Sequence, residues 1–401
     1  MEHTGGAQVV SNTVRQTSGF AAVSAVDLAE NRKLRSRRGD RTSAVQKSPT
    51  RPIGSAVWGV PYGFYVNYWP PISRDDLKTA SGLAGFDTVF PLLIRRLIAE
   101  TSDGLTSIDM PGGSGTAAGG FDGIATTIRQ TTFVPAGTSV WELSVGGGQS
   151  KANDDYGKRL AAPDGGPTSS VTYVQALLAP WTKARAWTTA RNKEGRWREV
   201  RGYNLDLIHA WLDVAPATTA WLAEQLGKKM PGVRSLDQWW TDTWLPSTRV
   251  PLDSAVVLAG RQDAASELVK RLNSGQKWVT LGGDLRTDEA RAFVAAALAS
   301  GDTQHTAQTA ARTLIATNAG SLEQLVAQPQ PLVLLISEPA LARELPIHHP
   351  HQFIVTAASP TESDIQIPRV DSQLVEIRLK SYGVTTPEPW RLATLARRSS
   401  W

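Results

Sequence analysis

Two acidic residues in the first half of the chain stand where chemistry on a phosphodiester would need them. Asp122 follows Phe121 and precedes Gly123, and Glu142 lies in the run Ser139-Val140-Trp141-Glu142-Leu143-Ser144. Hydrolysing a phosphodiester at neutral pH calls for a cation that polarises the phosphate and lowers the pKa of the attacking water. Magnesium takes oxygen ligands, commonly one or two carboxylates completed by water and phosphate. The interval between the two acids suits a β-hairpin with a wide turn, which would bring both to one ion. On the strand, alternation sends Glu142 and Ser144 to one face. Lys151 opens the next polar stretch, where an ammonium can orient water or stabilise charge. That stretch also holds Asp155, Tyr156, Lys158 and Arg159. It reads equally as a helix facing phosphate or as a solvated helix with local salt bridges. Asp122-Gly123 also fits a plain turn, and Glu142 also fits a pair with Lys158 or Arg159.

The second half offers a phosphate loop that has lost its chemistry. Trp278 to Leu281 reads as a strand running into Gly282-Gly283-Asp284, with a helix after Thr287. A working loop needs glycines for close approach, a lysine for the phosphates and a Ser or Thr for magnesium. Here no Gly-Lys-Ser/Thr follows, and Asp284 and Asp288 repel phosphate. We read Gly282 and Gly283 as a degenerate nucleotide loop, with no nucleotide expected. Ser337 stands where an acidic residue would follow the strand Leu332 to Ile336, with Glu338 beside it. His348, His349 and His351 have no matching carboxylate or thiolate spacing and read as loop residues. No Gly-x-Ser-x-Gly elbow occurs, which sets serine hydrolase chemistry aside.

The elements that must position these residues follow from periodicity. Residues 84 to 101 repeat apolar side chains at helical spacing, with Pro91 kinking the helix or marking its first turn. Strands are expected over 123–128, 139–145, 171–178 and 198–203. Helices are expected over 151–160, over 205–212 with Asn204 as N-cap, and over 218–226. From Pro251 the rhythm becomes β-α-β-α-β. It predicts strands at 255–258, 277–281, 313–316, 332–336 and 352–356, with helices at 263–272, 287–298 and 321–326 between them. Thr287 or Asp288 is the expected cap of the second of these. The fold class is therefore α/β, a mixed-sheet domain followed by a Rossmann-like parallel-sheet domain. The expected segments are 1–55 (a disordered basic segment), 56–80 (an aromatic arm), 81–227 (the first domain), 228–250 (a Trp-rich linker) and 251–401 (the second domain).

With 401 residues, 41% hydrophobic and 20% charged, the composition is that of a globular chain long enough for two or three domains. There are no cysteines, so disulfides, thiolate zinc sites and cysteine nucleophiles are excluded. No run of apolar residues is long enough to span a membrane and no secretory pattern opens the chain, so a cytoplasmic location is expected. The net charge of +5 is concentrated in the segment Asn31 to Arg38, which reads as a solvated tail or as a nucleic-acid contact. Fourteen tryptophans point to packed cores or an interface.

Over about residues 80 to 215, the Asp122 and Glu142 pattern resembles the PD-(D/E)xK nuclease superfamily, in its Mrr-like restriction-endonuclease branch. The resemblance implies a nuclease fold in which Asp122 and Glu142 hold magnesium or manganese. Ser144 stands where the family carries its lysine, which leaves Lys151 to supply the ammonium. Tyr156, Lys158 and Arg159 are candidate accessory residues. The second half resembles a degenerate signal-transducing P-loop NTPase domain, with Ile365 to Arg369 and Leu395 to Ser399 as its lid portion. Such pairs occur in bacterial anti-phage defence proteins whose chains continue further, so a shortened form is implied. The expected partner is DNA, with a protein partner or a second copy also open. The alternative is a catalytically inactive module that binds nucleic acid or protein.

Overall fold

The computed structural model describes residues 72–112, 120–161, 168–228, 230–301, 304–342, 345, 349–356, 362–385 and 387–398. All fall within one compact unit, Tyr62–Trp401. The basic segment 1–55 lies outside them, as does most of the aromatic arm. The arm's last residues belong instead to helix α1 (Arg74–Ser81), entered by a capping box in which Ser73 accepts from Asp76 N–H at 3.1 Å and Asp76 accepts from Ser73 N–H at 2.8 Å.

Helix α2 (Phe86–Thr101) runs unbroken through Pro91 and buries Phe86, Phe90, Leu93, Ile94, Leu97 and Ile98. It packs on a five-stranded sheet formed by β1 (Asp103–Asp109), β2 (Gly123–Arg129) and β3 (Gly137–Ser144), then helix α3 (Gln149–Ala161), β4 (Thr172–Leu177), helix α4 (Ala184–Lys193) and β5 (Glu199–Tyr203). The strands lie in sequence order. The first two pairings are antiparallel and the last two parallel, with α3 and α4 as the crossovers. β4 is buried throughout, because helices cover both faces. On one face Trp141, Val174 and Ala176 join the core of α2 and of helix α5 (Leu205–Leu212), capped as expected by Asn204. On the other, Val140, Tyr173 and Leu177 join Tyr156 of α3 and Trp187 of α4.

Helix α6 (Pro216–Gln225) is buried from Pro216 to Ala223, all the way round. Ala217 and Ala220 enter the core of the second sheet, and Trp221 and Leu222 that of the first. A helix apolar on every side belongs between layers. The stretch 228–250, read as a linker, is built into the fold. It contains strand β6 (Val233–Ser235), helix α7 (Leu236–Trp239) and the buried Trp239 and Trp244.

The second sheet is six-stranded. Helices α8 (Ser254–Val257) and α9 (Gln262–Asn273) precede β7 (Trp278–Gly282). Then come α10 (Thr287–Ala299), α11 (Gln304–Ala311), β8 (Thr313–Ala316), α12 (Ala319–Val326), β9 (Val333–Ile336), α13 (Pro339–Ala342), β10 (Gln352–Thr356), β11 (Ile365–Gln366), α14 (Ser372–Ser381) and α15 (Glu388–Arg398). The strand order is β11-β7-β10-β9-β8-β6, parallel except for β6 at the edge. Two expectations fail here. The apolar run expected as strand 255–258 is α8, because the Asp253 carboxylate accepts from Val256 N–H at 3.1 Å and starts a helical turn. The N-cap of α10 is Arg286, without a side-chain cap. Among the described residues no helix is long and apolar enough to cross a membrane.

Candidate active site

Sheet register brings the two acids together. β2 and β3 pair with Gly123 opposite Trp141, so Asp122, one residue earlier, falls opposite Glu142. β3 and β4 pair in parallel with Glu142 beside Gln175. The three polar side chains share one sheet face near the ends of β3 and β4, beneath α3. Asp122 is anchored there by accepting from the Leu143 N–H at 2.7 Å.

The electrostatics of the pair are strained by burial. Glu142 is 5% exposed. Burial pushes its carboxyl up to about 7; the Arg159 hydrogen bond opposes that rise and the Asp122 charge adds to it. Asp122 is also raised, by burial first, against the pull of the Leu143 N–H and the Arg159 charge. Arg159 reaches from α3, pairs with Glu142, donates to the Gly120 carbonyl and lies over the Phe121 ring at 5.0 Å. Of the two partners foreseen for Glu142, the fold selects Arg159, while Lys158 is exposed on the outer side of α3.

Lys151 lies in the first turns of α3 and pairs with Asp155 at 2.6 Å. Its charge also favours the ionised form of Asp122. Gly147 turns the chain into this helix with φ of +89°, and a Cβ there would meet Lys151 Cβ at 2.9 Å. Asp155, itself buried, accepts from Gln175 Nε2 at 3.4 Å, and Gln175 accepts from the Tyr173 hydroxyl at 2.7 Å. A hydrogen-bonded chain therefore runs Lys151, Asp155, Gln175, Tyr173 alongside the carboxylates. Burial and the Glu142 and Asp155 charges push the Tyr173 phenol well above its ordinary value, so it stays a neutral donor.

Two sequence candidates do not reach the carboxylates, although the Tyr156 ring meets Tyr173 edge-on at 5.3 Å. The Ser144 hydroxyl donates to the Gly146 carbonyl at 2.9 Å, which turns it into the following loop. Tyr156 is 2% exposed on the α4 side of α3, where it donates to Glu194 at 3.1 Å and packs against Trp187. Gln175 and Tyr173 were not singled out from sequence. The signal available was a glutamine inside the otherwise apolar run Val171 to Leu178.

The second sheet carries a cavity of about 380 Å³ lined by Leu281, Gly283, Leu285, Thr287, Ser337 and Thr356. It lies at the carboxyl ends of β7, β9 and β10, where open parallel sheets bind ligands. The glycines there meet a packing demand. A Cβ on Gly282 would collide with Ser363, and one on Gly283, at φ of +141°, would meet the Ile367 carbonyl at 2.6 Å. Glu338 is exposed, and Ser337 accepts from Arg291 at 3.2 Å. Of the histidines, His348 lies outside the described residues. His351 is fully buried, with Nδ1 accepting from Leu332 N–H at 3.2 Å and Nε2 at 3.1 Å from the Val326 carbonyl. That is a satisfied core histidine.

Compared with family models, curated proteins and solved structures, the chain matches none.

Proposed function

We propose that the first sheet carries a metal-dependent phosphodiesterase site acting on DNA, in a nuclease fold of the restriction-endonuclease kind. The observation that carries this reading is the register that sets Asp122 opposite Glu142, with Lys151 close enough to act on Asp122. The order of the first sheet supports the fold reading: a helix, an antiparallel three-strand meander, then a helix crossing to a parallel fourth strand.

The donor chemistry suits a hard divalent cation. Two neighbouring carboxylates, Glu142 buried and Asp122 half-buried, each raised, gain by sharing one. Among the described residues no group of three or more His, Cys, Asp or Glu converges as a metal cage. Asp122 and Glu142 would be the protein ligands, with water and phosphate completing the shell, as magnesium or manganese accepts. When bound, the ion supplies a lowered pKa for water and charge compensation at the phosphate. Lys151, held by Asp155, presents its ammonium to the phosphate. Arg159 balances the carboxylate charge and would release Glu142 to a bound cation, its guanidinium then free to pair with the substrate phosphate. The parallel sheet serves as a scaffold, a reading favoured by glycines already explained by packing.

Cleavage of supercoiled and linear DNA with magnesium or manganese, wild type beside Glu142→Gln, tests the proposal. Cleavage by wild type and its loss in the variant are expected. Activity unchanged in Glu142→Gln would remove Glu142 from the site. One observation favours a second reading: Arg159 already neutralises Glu142, and Ser144 turns away from it. On that reading the fold binds DNA without turnover, and binding by a wild type that never cleaves would establish it.

A further inference from the structure

Four cations on and around α4 are left unused by the fold. Lys183, Arg185, Lys193 and Arg196 are exposed, and none makes an ion pair with another described residue. From Trp181 to Tyr203 there are seven Lys and Arg against two Glu. Both glutamates are already engaged, Glu194 by Arg191 and Glu199 by Arg201. Arg185 and Lys193 stand on an open face of α4 whose remaining side chains are Thr182, Ala186, Thr189 and Ala190. These small side chains leave the two cations standing clear, one at each end. Eight residues of helix separate them, roughly 12 Å along the axis.

The start of α4 runs against ordinary helix design. Lys183 occupies the N-cap without a side-chain cap, Arg185 follows, and the first turn holds no acid. Cations there oppose the helix dipole, which favours anions at this end. A surface built only for stability would place the charges at the other end.

The topology puts α4 on the same face of the sheet as the carboxylates, packed through Ala184 and Trp187 with the cations on its outer side. α4 leaves β4 at the sheet edge where Glu142 and Gln175 stand and returns antiparallel to the strands. It is fixed beside α3 through Asn153, which accepts from Trp187 Nε1 at 2.9 Å and from Arg191 at 3.0 Å. Among the described residues no large exposed apolar side chain lies on α4, as insertion into a lipid surface would require.

We propose that the outer face of α4 is the track for the phosphate backbone of duplex DNA, with Arg185 and Lys193 contacting phosphates and Lys183 and Arg196 extending the positive strip. The choice of DNA among polyanions rests on the nuclease reading above. A duplex carries about one charge per 1.7 Å of axis and rewards a line of unpaired cations by counterion release.

The test is binding of a fluorescent duplex by the full chain, with chelator present, over a range of salt. Wild type is compared with Arg185→Glu/Lys193→Glu and with the milder Arg185→Ala/Lys193→Ala. The alanine pair should weaken binding about tenfold or more and flatten the log affinity against log salt slope by about two. Its melting temperature should be unchanged. Equal affinity and slope in wild type and the alanine pair, or no duplex binding by wild type at low salt, overturns the proposal. Preference for single-stranded RNA or an acidic protein over the duplex overturns the choice of occupant. Cleavage with magnesium is read separately. Cleavage that depends on Glu142 while the α4 variants bind normally keeps the nuclease reading and removes the track. Binding through α4 without any cleavage does the reverse.

Discussion

At the scale of single residues, Glu142 is placed where folding works against its charge. Its carboxyl rises from an ordinary 4.5 to about 7, chiefly through burial. The folded chain therefore holds a proton that the unfolded chain has released between those two values. The stabilisation tied to that proton is complete below about pH 4.5 and is lost as pH rises through about 7. Glu142→Gln keeps the shape without the charge, so it should melt higher than wild type at pH 8 and nearly level with it at pH 5, measured without divalent metal. An equal shift at both values would show that the carboxylate is not under this pressure. The same reasoning explains why the carboxylate pair reads as a binding site. Groups costly to ionise alone become favourable once a cation joins them, and Arg159 fills part of that role in the free protein.

At the scale of elements, α5 fastens the sheet to α2 through Leu205, Ile208, Leu212 and above all Trp211. Trp211 is fully buried, stacks on Phe133 at 5.4 Å and on Trp141 at 6.1 Å, and donates to Thr101 Oγ1 at 2.8 Å. Trp211→Ala should cost about 3–5 kcal/mol by chemical denaturation. A loss under about 1 kcal/mol would mean the site collapses around the gap. Much of this layer was legible in the sequence. The strands that became β2 to β5 and helices α3 and α5 follow from alternation, apolar runs and the Asn204 cap, whereas neither β1 nor helix α4 was expected. The apolar run 255–258 was not legible, since four residues carry too little periodicity to separate strand from helix, and a capping bond from Asp253 decided it. Within the site, the Asp122 and Glu142 hairpin could be read from type and spacing. The neighbouring Gln175 could not, because its place beside Glu142 depends on which residue of β4 pairs with which of β3.

At the scale of the whole molecule, the two sheets are joined by more than the chain between them. α11 and the residue after it reach back to the first sheet's helix. Gln308 Nε2 donates to the Ala99 and Ser102 carbonyls, both at 3.2 Å, and Arg312 Nε donates to the Glu100 carbonyl at 2.9 Å. Glu100 in turn accepts from the N–H groups of Ala217 and Thr218, which satisfies the buried start of α6. Arg96 of α2 pairs with Asp237 beside β6. The Gln308 bonds are buried and the Arg312 bond is half-buried, so removing these donors strands carbonyls at up to about 1–3 kcal/mol each. Wild type should therefore unfold in one transition, with amides of both sheets exchanging together. Gln308→Ala/Arg312→Ala should divide that transition, so that β8 and α11 lose hydrogen-exchange protection before β3 and β4 do. A single coincident transition in the double variant would place the coupling elsewhere, in the apolar contacts of α6.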